Sequence, residues 1–407
     1  MIKDKLKNGT RFIYEKRDAA ISSFCIGFDA GALREEEGFK YGTAHALEHM
    51  LYKGTLKRSE DEINSSCDSI FGFNNAMTNY PYVIYYGTSL TGDFEAGLEL
   101  YGDIVLNPAF PEKGFQEELS VICEELRDWQ EDLAQYCEDK LLSHAFDNRR
   151  IMEPIIGSEA SVRSIGKQDL ISFYNKFYIP ANCVITMVTS LQYQEAFELA
   201  DKYFGTFKSR NPEQLVLRNN YQHNIAGVFT EEFKAGSGAR IQYCFSIHNL
   251  TVREIKVLKL FNFHFGESVT SILYDEIRTK NGLVYDISSY VKNETGIRLF
   301  TISASTSIDN VNKVVDIINS KIEKIKSDTF EISQSRINNI IKMLKIKREM
   351  LLEKSIQLCK ELTVHELMYG SPEQVFCEFE DFEDVTSEEI HKVIVKTFRM
   401  PTIQILK

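Results

Sequence analysis

Two widely separated stretches of this chain close in the same way. Ile165-Gly166-Lys167-Gln168-Asp169-Leu170 opens a helical pattern that runs on to the apolar strand Val184-Ile185-Thr186-Met187-Val188. Val385-Thr386-Ser387-Glu388-Glu389-Ile390 leads likewise to Ile403-Gln404-Ile405-Leu406. A helix-then-strand ending used twice restricts the fold to two structurally related domains. Length agrees, because 407 residues exceed what one ordinary core organises and two domains of about 200 residues fit. Strand-like runs at 11–14, 22–28 and 83–88, and again at 227–230 and 240–247, alternate with helical segments and give an α+β reading. The polar, turn-rich stretch from Ser209-Arg210-Asn211-Pro212-Glu213 to Asn219-Asn220 is the linker candidate. The expected organisation is a first domain over 1–208, a linker over 209–224 and a second domain over 225–407.

In the first half, His45-Ala46-Leu47-Glu48-His49 sets two imidazoles at i and i+4 and a carboxylate at i+3. On a helix these positions share one face, so His45 and His49 can chelate one metal ion while Glu48 stands beside it. The order mirrors the commoner HExxH zinc signature, with the acid moved next to the second histidine. A tetrahedral catalytic zinc also needs a third protein ligand and an open fourth position. Candidates lie in Glu117-Glu118-Leu119-Ser120-Val121-Ile122-Cys123-Glu124-Glu125-Leu126-Arg127. Around them Phe115, Leu119, Ile122, Leu126, Trp129 and Leu133 recur every three or four positions and predict one long amphipathic helix over about 114–145. Glu118 and Glu125 share a face of that helix, whereas Glu117 and Glu124 read as solvated surface.

The run His45-Ala46-Leu47-Glu48-His49-Met50-Leu51-Tyr52-Lys53-Gly54-Thr55 resembles the signature of the inverzincin zinc metallopeptidases, the pitrilysin and insulinase family. The branch most similar is the two-domain one that includes mitochondrial processing peptidase. In that family the third ligand is a glutamate some 75 residues beyond the second histidine, preceded seven residues earlier by another functional glutamate. Glu125, with 75 residues intervening after His49, and Glu118 match this pattern. Asn75-Ala76-Met77-Thr78 resembles the family's substrate-binding edge strand, and Pro154-Ile155-Ile156-Gly157-Ser158 a later landmark. Pro81 departs from the family, which often has an acid there, and a proline cannot donate to a sheet ladder.

The second half resembles the family too. Ile272-Leu273-Tyr274-Asp275-Glu276-Ile277-Arg278 followed by Asn281-Gly282-Leu283-Val284-Tyr285 is similar to its arginine and tyrosine pair. A helix ending near Lys280, capped by Asn281-Gly282 and followed by a strand over 283–291, would carry Arg278 and Tyr285 across a helix-to-strand turn. Arginine and tyrosine are donors suited to an oxyanion or a substrate carbonyl.

The resemblance implies two domains, each a mainly antiparallel sheet packed with helices, forming half of a clamshell. It implies one Zn²⁺ per chain on His45, His49 and Glu125, with Glu48 activating water and Glu118 orienting a ligand or the base. Mn²⁺ or Co²⁺ suits the same donors. Peptide substrates pair with Asn75 and Ala76, and a second copy of the chain supplies Arg278 and Tyr285, a homodimer being preferred to a heterodimer. Unstructured peptides cleaved by an endopeptidase in a closed dimeric chamber are the expected chemistry. Two alternatives stand beside it: a catalytically silent binding or scaffold subunit, and a peptidase dedicated to one precursor with a partner subunit. The silent subunit would show a broken HxxEH or a missing distal glutamate, and neither break is present.

Bulk properties narrow the partners. Net charge of −12 without a basic aromatic platform argues against nucleic acid. No apolar run approaches the roughly 20 residues of a membrane span, and the opening Met1-Ile2-Lys3-Asp4-Lys5 lacks a signal core. A cytoplasmic protein without membrane partners is expected. The eight cysteines are scattered without a CxxC pair and read as free thiols, several of them buried. His144, His223, His248, His264, His365 and His391 read as isolated surface or core residues.

Overall fold

The computed structural model describes residues 1–147, 149–208, 221–233 and 238–407. It divides into two compact units, each assembled from three pieces of chain. Unit 1 comprises Met1–Leu126, Pro154–Leu217 and Glu349–Cys377; unit 2 comprises Arg127–Glu153, Arg218–Arg348 and Glu378–Lys407. The change from Leu217 to Arg218, and the expected linker as far as residue 220, lie outside the described residues.

Unit 1 contains β1 (Ile2–Lys5), β2 (Arg11–Lys16), β3 (Ile21–Phe28), β4 (Phe71–Thr78), β5 (Val83–Leu90) and β6 (Cys183–Thr189) in the order β1-β2-β6-β3-β5-β4. Unit 2 contains β7 (Gly227–Glu231), β8 (Ala239–Ser246), β9 (Val284–Glu294), β10 (Ile297–Thr306) and β11 (Thr402–Leu406) in the order β7-β11-β8-β10-β9. Apart from the extra β1, the two orders are one pattern. Each has one parallel pair, β2 with β6 and β7 with β11, and antiparallel neighbours elsewhere. The α+β architecture of two related, mainly antiparallel domains therefore stands. Among the described residues, the strand at one margin of each unit, β4 or β9, has a partner on one side only.

Both sheets are covered on both faces, and the residue alternation of a strand shows how. In β3, Phe24 packs on Phe71, Phe94 and Tyr101. On the opposite face Cys25 joins Ile13, Ile84, Val184 and Val188 beneath Leu358, Cys359 and Leu362 of the helix Ser355–Tyr369. That helix approaches closely: a Cβ on Gly27 would lie 2.5 Å from the Thr363 methyl. In unit 2, Tyr243 and Phe245 enter an apolar core with Phe300, Ile403 and Phe398, and the helix Leu133–Ala145 covers β8 and β11.

These two covering helices dock alike. The Cys359 thiol lies 3.2 Å from the Ser23 carbonyl and 3.8 Å from that of Thr186. The Cys137 thiol lies 3.8 Å from the Arg240 carbonyl and 3.9 Å from that of Gln404. Cys25 is registered with Thr186 and Gln242 with Gln404, so the two thiols occupy equivalent places on equivalent strand pairs. Yet the helix on unit 1 comes late in the chain and the one on unit 2 comes early. Each unit is thus completed by a helix taken from the other half of the sequence.

The single helix expected over about 114–145 is two, Phe115–Glu131 and Leu133–Ala145. Asp132 leaves the helical region at φ −77 and ψ 111, and its carboxylate accepts the Ala134 and Gln135 N–H groups at 2.8 Å each. Its side chain starts a new helix instead of continuing the old one, and apolar periodicity does not register that competition. The expectation of free thiols holds: none of the eight cysteines is in a disulfide, and seven are buried.

Candidate metal centre and active site

His45, Glu48 and His49 ride on the helix Thr43–Leu51, whose start is fixed from three sides. Gly42 adopts φ +94, and a Cβ there would fall 2.4 Å from the Ile156 carbonyl oxygen. Gly157, at φ +87, meets Tyr41 in the same way, a Cβ on it lying 2.6 Å from the Tyr41 carbonyl oxygen. The Pro154 to Ser158 segment is therefore a backbone buttress against the first turn of this helix. The third support is Glu35, 1% exposed. Its two oxygens accept the N–H groups of Gly42 at 3.0 Å and Ala44 at 2.8 Å, which is where the helix dipole favours an anion.

Glu118 and Glu125 come from the helix Phe115–Glu131, two turns apart as their spacing requires. Among the described residues, His45, His49 and Glu125 form a metal-capable group whose donor atoms all lie within 4.8 Å of one another. Nε2 of His45 is 3.7 Å from Oε1 of Glu125, and Nε2 of His49 is 3.5 Å from Oε2. A tetrahedral ion at about 2.0–2.1 Å from each donor sets neighbouring donors roughly 3.3 Å apart, so this set fits zinc with small adjustments. Two imidazoles and one carboxylate are also the chemistry of a catalytic zinc site.

The charges divide clearly. Burial, then the neighbouring His49 cation, takes the His45 imidazole down to about 4, so it presents a neutral lone pair. Burial also disfavours a charged His49, but hydrogen bonds from the imidazolium to Glu118 and Glu125 prevail and raise it to about 9. A divalent cation at Nε2 competes with that proton. The hydrogen bond from His49 holds Glu125 below the ordinary glutamate value despite burial. Burial would raise Glu118, but hydrogen bonds from His49 and Lys53 outweigh it and lower the carboxyl. Glu118 touches His49 at Nδ1, 2.8 Å from Oε1, on the ring atom away from Glu125.

Glu48 belongs to the same helix face but not to the donor group. Burial raises its carboxyl, opposed by a short hydrogen bond that Thr78 Oγ1 donates to its Oε2. Thr78 ends β4, the margin strand that contains Asn75 and Ala76. Asn75 is exposed, and its Oδ1 accepts the Ala76 N–H at 2.8 Å, so a strand added here displaces that side chain. Pro81 sits in the turn between β4 and β5, and the pairing of 71–78 with 83–89 runs past it. The departure from the family at Pro81 leaves the ladder intact.

Arg278 and Tyr285 lie in unit 2. The helix Tyr274–Lys280 is π-type, Asn281 caps it, Gly282 has φ +60, and β9 follows from Val284. Tyr285 is 72% exposed, and the Arg278 guanidinium lies over the Tyr274 ring at 5.1 Å. Of the remaining histidines, His223 and His248 are not isolated: their rings are 4.2 Å apart. His144 stacks on Phe229 and bonds Gln404 at 2.8 Å. Sequence reasoning missed Glu35, Lys53 and Thr78. Glu35 hides in the charged run Arg34-Glu35-Glu36-Glu37, which reads as surface.

Residues 11–159 match the model described as insulinase (peptidase family M16), and residues 164–344 match the one described as peptidase M16 inactive domain. His45, Glu48, His49, Glu118 and Glu125 all fall in the first match, and none in the segment called inactive. An "uncharacterized zinc protease" of Rickettsia bellii is 25% identical over 378 residues, covering 91% of this chain and 89% of that protein. The mitochondrial-processing peptidase β subunit of Bos taurus is 30% identical over 200 residues, 49% of this chain and 41% of that one. A crystal structure of a protease from Helicobacter pylori, 19% identical, superposes with a TM-score of 0.87 over 100% of this chain and 99% of that chain. No helix among the described residues is long and apolar enough to cross a membrane.

Proposed function

Because the chain belongs to the insulinase family of peptidases, M16, we propose that it is a zinc-dependent endopeptidase acting on unstructured peptides. The observation that carries the reading is one helix face with two separate jobs. His45 and His49 converge with Glu125 on a metal-sized position, while Glu48, one residue from His49, stays outside that group and is held by Thr78.

His45, His49 and Glu125 would hold the ion. Zinc in such a site supplies Lewis acidity, polarising a carbonyl and lowering the pKa of water towards about 7. Thr78 occupies Oε2 of Glu48 and leaves Oε1 to take a proton from the attacking water. Glu48 then passes that proton to the leaving amine. Glu118 fixes the His49 ring through Nδ1 so that Nε2 faces the ion. An extended peptide adds to the open margin of β4 at Asn75 and Ala76. Backbone pairing reads conformation more than sequence, so unfolded segments enter and folded proteins do not. Arg278 and Tyr285, exposed in the single chain, donate to the substrate at the site of a second copy.

The deciding experiment is hydrolysis of a panel of quenched, unstructured peptides by zinc-loaded protein. Glu48→Gln should retain one zinc per chain and lose turnover by about 10²-fold or more. Retained turnover would remove Glu48 from the role of base.

A further inference from the structure

Behind Glu118 stands a lysine that no part of the proposed chemistry uses. Lys53 lies two residues beyond the end of the ligand helix Thr43–Leu51. Its ammonium is 2.5 Å from Oε2 of Glu118 and 2.8 Å from Oε1 of Glu60. The other Glu118 oxygen, Oε1, is the one bonded to His49 Nδ1 at 2.8 Å. The Glu118 side chain is 8% exposed and that of Lys53 22%, so the contact is poorly screened compared with a surface ion pair.

We propose that Lys53 is a positioning residue for the metal centre, acting through Glu118 on His49. The inference rests on the zinc reading above and deepens it. Two partners hold both oxygens of Glu118, and each restricts a different motion. The imidazole defines where Oε1 sits, and the ammonium prevents the carboxylate from rotating away or swinging towards solvent. A carboxylate so pinned keeps His49 protonated at Nδ1, which leaves the Nε2 lone pair for the metal. Without Lys53, Glu118 is a buried anion with one oxygen unheld. His49 then loses the fixed acceptor that sets its tautomer and ring angle. Glu60 restrains the lysine in turn. It opens the helix Glu60–Ile70, whose start is anchored by a capping box between Ser59 and Glu62, so the chain Glu60, Lys53, Glu118, His49 begins on a rigid element.

The chain of contacts makes a prediction that a merely structural lysine does not. Zinc affinity of the full-length protein, measured by competition with a chromophoric chelator, should weaken roughly 10- to 100-fold in Lys53→Met. Lys53→Arg, which keeps charge and reach, should restore most of it. Glu118→Gln should weaken binding to a similar extent, and adding Lys53→Met to Glu118→Gln should cost nothing more. If Lys53→Met fails to fold, Lys53→Gln is read in the same way, because it removes the charge while keeping a donor. Unchanged affinity in the lysine variants, or losses that add in the double variant, would overturn the inference while leaving the zinc reading standing. A wild-type protein that takes up no zinc would overturn both.

Discussion

Thr78 is a small residue with two obligations. It closes the ladder of β4 opposite Val83, and its hydroxyl holds Oε2 of Glu48. Thr78→Val keeps the shape and the strand and deletes the donor. Peptide turnover should fall by about tenfold with zinc content unchanged, whereas Thr78→Ser should stay near wild type. Steady-state rates beside metal analysis check this, and an unchanged rate for the valine variant would free Glu48 of its tether. The candidate site shows what a sequence can say at this scale. His45, Glu48 and His49 are readable because a helix turns fixed spacing into a shared face. Glu125 needed the family, since nothing in an acidic helix separates a ligand from its solvated neighbours. Glu35 and Lys53 were not readable: Glu35 is one acid of a charged run until the chain folds back and sets the Gly42 and Ala44 N–H groups on it, and Lys53 meets Glu118 only when two helices distant in sequence come together.

Among elements, the ligand helix depends on its first turn more than on its length. Gly42→Ala should destabilise the protein by about 2 kcal/mol or more, since the new methyl meets the Ile156 carbonyl and the left-handed conformation is strained for alanine. Urea unfolding measures the loss, and a shift of a few tenths would show that the 154–158 buttress can yield. The helix Leu133–Ala145 carries its own titration. Burial lifts the Asp139 carboxyl to about 7, against a hydrogen bond from Gln135 that favours its anion. The unfolded carboxyl ionises near pH 4 and the folded one near 7. Folding stability contributed by this group therefore falls as pH rises from about 4 to 7 and is level above that. Asp139→Asn should flatten that part of the stability profile measured by denaturant midpoints. The strands and the helix-to-strand turn at Asn281-Gly282 followed from alternation and from glycine chemistry. The break at Asp132 did not, because the apolar stripe continues to Leu133 while a single carboxylate decides the matter locally.

For the whole molecule, the doubled helix-then-strand ending announced two related sheets, and the common strand order bears that out. The exchange of covering helices was hidden, because a helix with an apolar stripe does not record which sheet it will cover. Sharing of the active site between copies is a separate matter, and it has a quantitative signature. Glu48→Gln and Tyr285→Phe proteins, each nearly inactive, should regain activity when their subunits are mixed and exchanged. Random pairing in a homodimer leaves about a quarter of all sites intact if Tyr285 acts on the other copy. No recovery after demonstrated exchange would place Tyr285 on its own chain's metal.

The exchanged helices also impose an order on biosynthesis. The ribosome delivers the ligand helix, Glu125 and all six strands of the first sheet while the helix Ser355–Tyr369 is still unmade. Until that helix arrives, Cys25, Ile84, Val184 and Val188 face water instead of Leu358 and Leu362. A nascent chain in that state has one face of its first sheet uncovered. That apolar face is therefore exposed through most of translation, an aggregation hazard that ends only when the late helix is made.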